Sequence, residues 1–156
     1  MIEFPLGETP VTRSTDLINY GSRDVSVRVK VVHFDLDEKN EVRILPATPQ
    51  SLDQWLVIQP GTFDLPAGKT QTVRFSVRPK VKPEPGEHRA MLFFEELPGE
   101  ESITKTFRVL FRMGAAIYAQ VGDVRRVGTI KTVEVLDGVG RFEIESSGTA
   151  HVRLEG

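Results

Sequence analysis

The feature that most constrains this chain is a strict alternation of apolar and polar residues, repeated in several short stretches. Val25, Val27, Val29 and Val31 fall on one face, with Ser26, Arg28 and Lys30 on the other. Val73, Phe75 and Val77 repeat the pattern against Thr72, Arg74, Ser76 and Arg78. A period of two is what a half-buried strand requires, because successive side chains point to opposite faces. From Ala90 to Phe94 both faces are apolar, which predicts a central strand covered on each side. No window of about 11 residues carries the apolar stripe of an amphipathic helix. The chain reads as all-β.

Turn residues divide the alternating runs. Asn19-Tyr20-Gly21-Ser22 separates two strands, Glu38-Lys39-Asn40 reads as a hairpin tip, and Pro60-Gly61 and Pro66-Ala67-Gly68 bracket a short segment. The stretch from Pro79 to Gly86 holds three of the prolines, which remove ladder donors and make it a loop. Asp137-Gly138 between two alternating runs is a two-residue hairpin signal. About seven short strands at this spacing predict a seven-stranded immunoglobulin-like sandwich over residues 1–122, with additional C-terminal strands. The rest is a partial echo of the beginning: Ile144 to Thr149 leads into Val152 and Leu154 as Leu17 to Ser22 leads into Val25 and Val27. Residues 123–156 therefore read as the incomplete start of a second β-sandwich domain. So few strands cannot close a core alone. They must pack on the first domain, exchange with a neighbouring copy in self-association, or stay mobile.

Composition removes several function classes. The net charge is −2 and the cations are scattered, without the basic patch of a nucleic-acid binder. There is no cysteine, which excludes disulfides, thiolate metal sites and thiol nucleophiles. No apolar run reaches the roughly 20 residues of a membrane-spanning helix, and Met1 to Pro5 has no features of a signal peptide. His33, His88 and His151 are dispersed, and the acidic stretch around Asp35, Asp37, Glu38 and Glu41 lacks the glycine and spacing of a calcium loop. Glu95 and Glu96 are strand neighbours on opposite faces and cannot act as a carboxylate pair. There is no Gly-x-Ser-x-Gly elbow and no phosphate-binding glycine loop. Trp55 reads as a core anchor, with a carbohydrate platform as a distant second reading. The expectation is a protein without catalytic residues, metal or cofactor.

Three stretches then carry a resemblance: Trp55-Leu56-Val57-Ile58-Gln59-Pro60, Phe63 to Arg74 with its Leu65-Pro66-Ala67-Gly68 turn, and Gly86 to Pro98 with Ala90-Met91-Leu92-Phe93-Phe94-Glu95-Glu96. With them the chain resembles the PapD-like pilus-assembly chaperones, over the first domain through about Ala119 and then the start of the second. Other PapD-like sandwiches, including major-sperm-protein domains, share the rhythm of these motifs. The resemblance implies a periplasmic, non-enzymatic module that binds a protein partner, such as a pilin-like subunit or another envelope protein, by β-strand addition along its last long strand. That strand corresponds to residues 103–119, with Phe107, Val109, Phe111 and Met113 as the apolar series and Arg108 and Arg112 among the polar ones. Two readings of the series stand side by side: it faces the sandwich's own core, or it fills pockets on a partner. Gly114 is a place for a bulge that would switch faces. The family also anchors a subunit's terminal carboxylate with an Arg in the first strand and a Lys in the last. Here Met1 to Gly7 holds no Arg and the Lys position falls near Ala115, leaving Arg108 or Arg112 as substitutes. The alternative function is a structural sandwich module of a cell-envelope assembly without chaperone activity.

Overall fold

The computed structural model of the protein describes residues 1–7, 9–99 and 110–153. In chain order the strands are β1 (Ile2–Pro5), β2 (Val11–Ile18), β3 (Val25–Leu36), β4 (Val42–Leu45), β5 (Leu56–Gln59), β6 (Thr62–Leu65), β7 (Thr70–Val77), β8 (Gly86–Glu96), β9 (Arg112–Val121), β10 (Gly128–Leu136) and β11 (Val139–Ser146). A single 3-10 turn at Leu52–Gln54 leads into β5. One sheet runs β1–β9–β8–β3–β4, with β6 pairing the first half of β3. The facing sheet is β2–β7–β5, and β10 and β11 form a separate hairpin. This is the all-β immunoglobulin-like sandwich that the alternation predicts.

The inward face of each strand fills one core. Val27 on β3, Val73, Phe75 and Val77 on β7, Ala90, Leu92 and Phe94 on β8, and Ile117 and Ala119 on β9 meet Phe4, Leu17 and Trp55 between the sheets. Each fully buried Val, Leu, Ile or Phe contributes about 1.5–3 kcal/mol over leaving it in water. Trp55 is buried, with its indole N–H donating to the Pro49 carbonyl at 2.9 Å, so its polar handle is satisfied in the core. The two-faced stretch of β8 behaves as its sequence predicts. Met91 and Phe93 point out of the sandwich and join Phe34 and Tyr118 in a smaller cluster on the outer face.

The turns follow their residue chemistry. Asn40 and the Asp137-Gly138 pair take positive φ, the conformation that Asn, Asp and Gly tolerate at hairpin tips. The chain from Pro79 to Pro85 is irregular, consistent with its prolines.

The β10–β11 hairpin is amphipathic. Ile130 pairs with Ile144 and Val133 with Phe142, and the extra residue Lys131 bulges between them. Ile130 and Val133 are an odd number apart, so a regular ladder would place them on opposite faces; the bulge keeps them together. Ile130, Val133, Val135 and Phe142 are all more than half exposed. The flanks of the hairpin are fixed to β8. The Glu87 amide donates to the Thr149 carbonyl at 3.0 Å, and the Thr149 amide donates to Arg125 at 2.8 Å. The Glu87 carboxylate, 1% exposed, lies between Arg89 at 3.0 Å and His151 at 2.7 Å. The repeat predicts a strand through Val152 and Leu154, and Leu154 lies outside the described residues. Residues 149–153 run as an irregular segment along the start of β8, where the Thr149 and Ala150 amides donate to the Arg125 carbonyl and the His151 amide to the Glu87 carboxylate.

Candidate strand-docking edge

The last strand of the sandwich, β9, has two unlike halves. On one side it is paired with β8 along its whole length, from Gly86↔Val121 to Glu95↔Arg112. On the other side β1 runs parallel to it only from Ile117 to Gln120, and the Leu6 amide adds a bond to the Gln120 carbonyl at 2.7 Å. No described residue pairs this side of Arg112 to Ala116. The N–H and C=O of one strand residue point the same way and alternate along the strand. The Phe111 carbonyl receives the Glu96 amide at 3.0 Å on the β8 side, and the Gln120 carbonyl faces β1. The backbone groups of Arg112, Gly114 and Ala116 therefore face the open side. The ladder with β8 keeps its register through Gly114, so there is no bulge there and the anticipated switch of faces does not occur.

The inward side chains of the open half border a gap between the sheets. Phe111 and Met113 are 66% and 54% exposed, whereas Ile117 and Ala119 are both 0% exposed. The gap is a groove of about 380 Å³ between β2 and β9, lined by Leu17, Ile18, Val27, Leu65, Phe94, Phe111 and Met113 and edged by Tyr20, Arg23 and Glu96. Where β1 is present, Phe4 and Leu6 close the same side of the sandwich. Leu17, Val27, Leu65 and Phe94 at the floor of the groove are themselves buried. Arg23 and Glu96 pair at 2.5 Å at the rim of the groove.

The outward face of the same region is charged. Glu95 is approached by Lys30 at 3.2 Å, Arg112 at 3.4 Å and Arg28 at 3.6 Å. The Arg112 guanidinium also lies 3.7 Å over the Phe93 ring, a cation–π contact that holds the side chain flat on the sheet. A Cβ at Gly114 would come within 3.0 Å of the Met91 sulfur and 3.2 Å of the Phe93 ring. Glycine there lets these two side chains lie across β9.

Other polar groups tie the sandwich together away from this edge. Burial pushes the Asp35 carboxyl up, but the Leu36 amide and the Arg89 and Arg43 guanidinium groups outweigh it and hold the group below the usual carboxylate range. Burial pushes the Tyr118 phenol up; its ring packs edge-on to Phe34 and lies 4.4 Å from the His151 ring. Both His88 ring nitrogens meet backbone carbonyls, of Gln50 at 2.8 Å and Glu84 at 2.9 Å, which ties the proline-rich loop to β8. Among the described residues no three His, Asp or Glu side chains gather as a metal site.

Of the residues singled out in the sequence, Phe111 and Met113 line the groove and Arg112 lies on the opposite face. Phe107, Arg108 and Val109 lie outside the described residues. The alternation did not reveal the groove's other wall, Leu17 and Ile18, or its floor at Phe94 and Leu65, since these read as ordinary core positions. Nor did it reveal the charged row of Arg28, Glu95 and Arg112, which only strand pairing brings together.

The sequence matches no family model and no curated protein sequence. Its fold does have solved counterparts. A class 5 fimbriae chaperone, CfaA, superposes with a TM-score of 0.62 at 16% identity, over 94% of this chain and 64% of that one. A chain of the CsuC–CsuE chaperone–tip adhesion subunit pre-assembly complex, from archaic chaperone–usher Csu pili of Acinetobacter baumannii, gives 0.60 at 14% identity, over 94% and 68%. A PapD-like domain of human CEP192 gives 0.50 at 14% identity, over 79% and 82%. The fold is PapD-like, and the chain spans a little under two thirds of the fimbriae chaperone it resembles.

Proposed function

We propose that this protein is a periplasmic, non-catalytic binding module of the fimbrial-chaperone type, which holds a protein partner by β-strand addition at the open half of β9. The observation that carries this reading is the exposure of Phe111 and Met113 at the mouth of a groove lined by core side chains. Beside it, the backbone groups of Arg112, Gly114 and Ala116 have no strand partner on that side among the described residues, whereas the β1 ladder covers Ile117 to Gln120. An unpaired edge of this kind is a template for another strand. Main-chain bonds to Arg112, Gly114 and Ala116 would supply affinity, and apolar side chains entering beside Phe111 and Met113 would supply fit. The partner class follows from the likeness to chaperones solved with adhesin subunits: a pilin-like or tip subunit of the cell envelope. Residues 123–156 are read as the opening strands of a second β-sandwich, whose uncovered face is that of the hairpin.

The test is co-expression with pilin-like subunits, with complex formation followed by size-exclusion chromatography. The native chain is expected to co-elute with its subunit, and Met113→Asp is expected to abolish the complex without lowering the melting temperature by more than about 2 °C, since an exposed site changes stability by only about 0.5 kcal/mol. A complex that survives Met113→Asp and Phe111→Asp alike would refute docking at this edge.

A further inference from the structure

We infer that the strand received at the open edge of β9 carries an acidic residue on its outward face, directly opposite Arg112; this deepens the strand-addition reading and rests on it. The inference comes from the cross-strand rows of the outer face. Arg28 on β3 pairs with Glu95 on β8, and Glu95 pairs with Arg112 on β9. Side chains directly opposite one another on paired strands share a face and lie close enough to interact, with opposite charges favourable and like charges unfavourable. The row thus reads plus, minus, plus, and among the described residues it ends at Arg112. The next strand supplies its fourth member. Lys30 adds a second cation beside Glu95 at 3.2 Å, so three cations surround one carboxylate and the row's end carries an excess of positive charge.

Arg112 is placed to meet that fourth member. Its guanidinium rests 3.7 Å over Phe93 and 3.4 Å from Glu95, yet the side chain is 49% exposed, so donors remain for a carboxylate from the open side. A held guanidinium loses less freedom on forming a bidentate pair than a mobile lysine would. The neighbouring row gives the second half of the signature. Lys30 pairs with Phe93, and Phe93 with Gly114. Gly114 presents no side chain, and the Phe93 ring lies across it. The incoming residue opposite Gly114 therefore meets an aromatic ring and is apolar. The recognised segment is an extended strand with apolar residues facing the groove, one acidic residue facing Arg112 and an apolar residue facing Gly114. Without the acidic residue, the positive end of the row gains no partner. With a basic residue there, it is repelled.

Two synthetic peptides test this on the full chain. They share the apolar pattern and differ only in carrying Glu or Lys at the position opposite Arg112. Binding is read by fluorescence anisotropy, and amide exchange at Gly114 reports whether the peptide is on the edge. The expected result is about tenfold tighter binding of the Glu peptide at low salt, shrinking as ionic strength rises. Arg112→Gln is expected to bring the two peptides close to parity, and Lys30→Gln to reduce the difference partway. Equal binding of both peptides with Gly114 protected would overturn the charge inference and leave strand addition standing. No binding of either peptide, or binding without protection of Gly114, would overturn both.

Discussion

The two halves of β9 belong to one strand and pair with the same neighbour, yet among the described residues one half is flanked on both sides and the other on one. From Ile117 to Val121 the strand is flanked by β8 and β1, and Ile117, Tyr118 and Ala119 are buried. From Arg112 to Ala116 it is flanked, among the described residues, by β8 alone, and its inward side chains are either small or exposed. The difference does not lie in the alternation, which runs through both halves. It lies in which half the β1 ladder covers, Ile117 to Gln120. A strand's own pattern says which side chains share a face; a second strand decides whether that face is sealed.

This comparison can be broken most forcibly in the sealed half. Ile117→Ala removes a fully buried side chain and is expected to cost about 3 kcal/mol, or roughly 10 °C in melting temperature for a chain of this size. Met113→Ala, two pairs of residues away on the same face, is expected to cost less than about 1 kcal/mol because the side chain is already in water. Thermal melts of the two variants side by side check the contrast; equal losses would mean that the open half is also core.

Phe4→Ala tests the cause of the asymmetry. Phe4 is buried on β1 against Phe75, with ring centroids 6.4 Å apart. Its loss is expected to cost about 3 kcal/mol and to loosen the pairing of β1 with residues 117–120. Limited proteolysis should then cut at β1 before any other part of the sandwich. If cleavage starts in β7 or β8, β1 is not what seals the edge.

The outline of the sandwich was legible in the sequence because each of its strands has a distinct inward face. Val73, Phe75 and Val77 are buried and Arg74 is exposed, as their spacing requires. Even the two-faced Ala90–Phe94 stretch was readable as a central strand. The site was legible only in part. Phe111, Arg112 and Met113 stood out in the last strand, but the same spacing suited a core strand, and nothing local distinguishes the two. The groove depends on Leu17 and Phe94, which are far apart in sequence and which only the packing of the two sheets brings together. The charged row depends on register, which alternation does not specify across strands that are distant in the chain.

The smallest expected effect concerns pH and the sealed half. The Tyr118 phenol titrates higher when folded than when unfolded, because burial disfavours its charged form. Its contribution to stability is therefore fully present below about pH 10, the unfolded value, and is lost as pH rises through the folded value. Melting temperature is expected to decline above that pH, and Tyr118→Phe should remove part of the decline. An identical alkaline profile in the variant would place the effect elsewhere.

The most direct test of the central claim is amide hydrogen exchange resolved along β9. Arg112, Gly114 and Ala116 present their N–H groups to the open side, whereas Tyr118 and Gln120 present theirs to β1. In the free protein the first three should exchange close to the rate of fraying edges, and the last two near the rate set by global unfolding. Bound partner should bring the first three into the protected class and leave the others unchanged. Uniform protection along β9 in the free protein, or no gain at Gly114 on binding, would contradict the account.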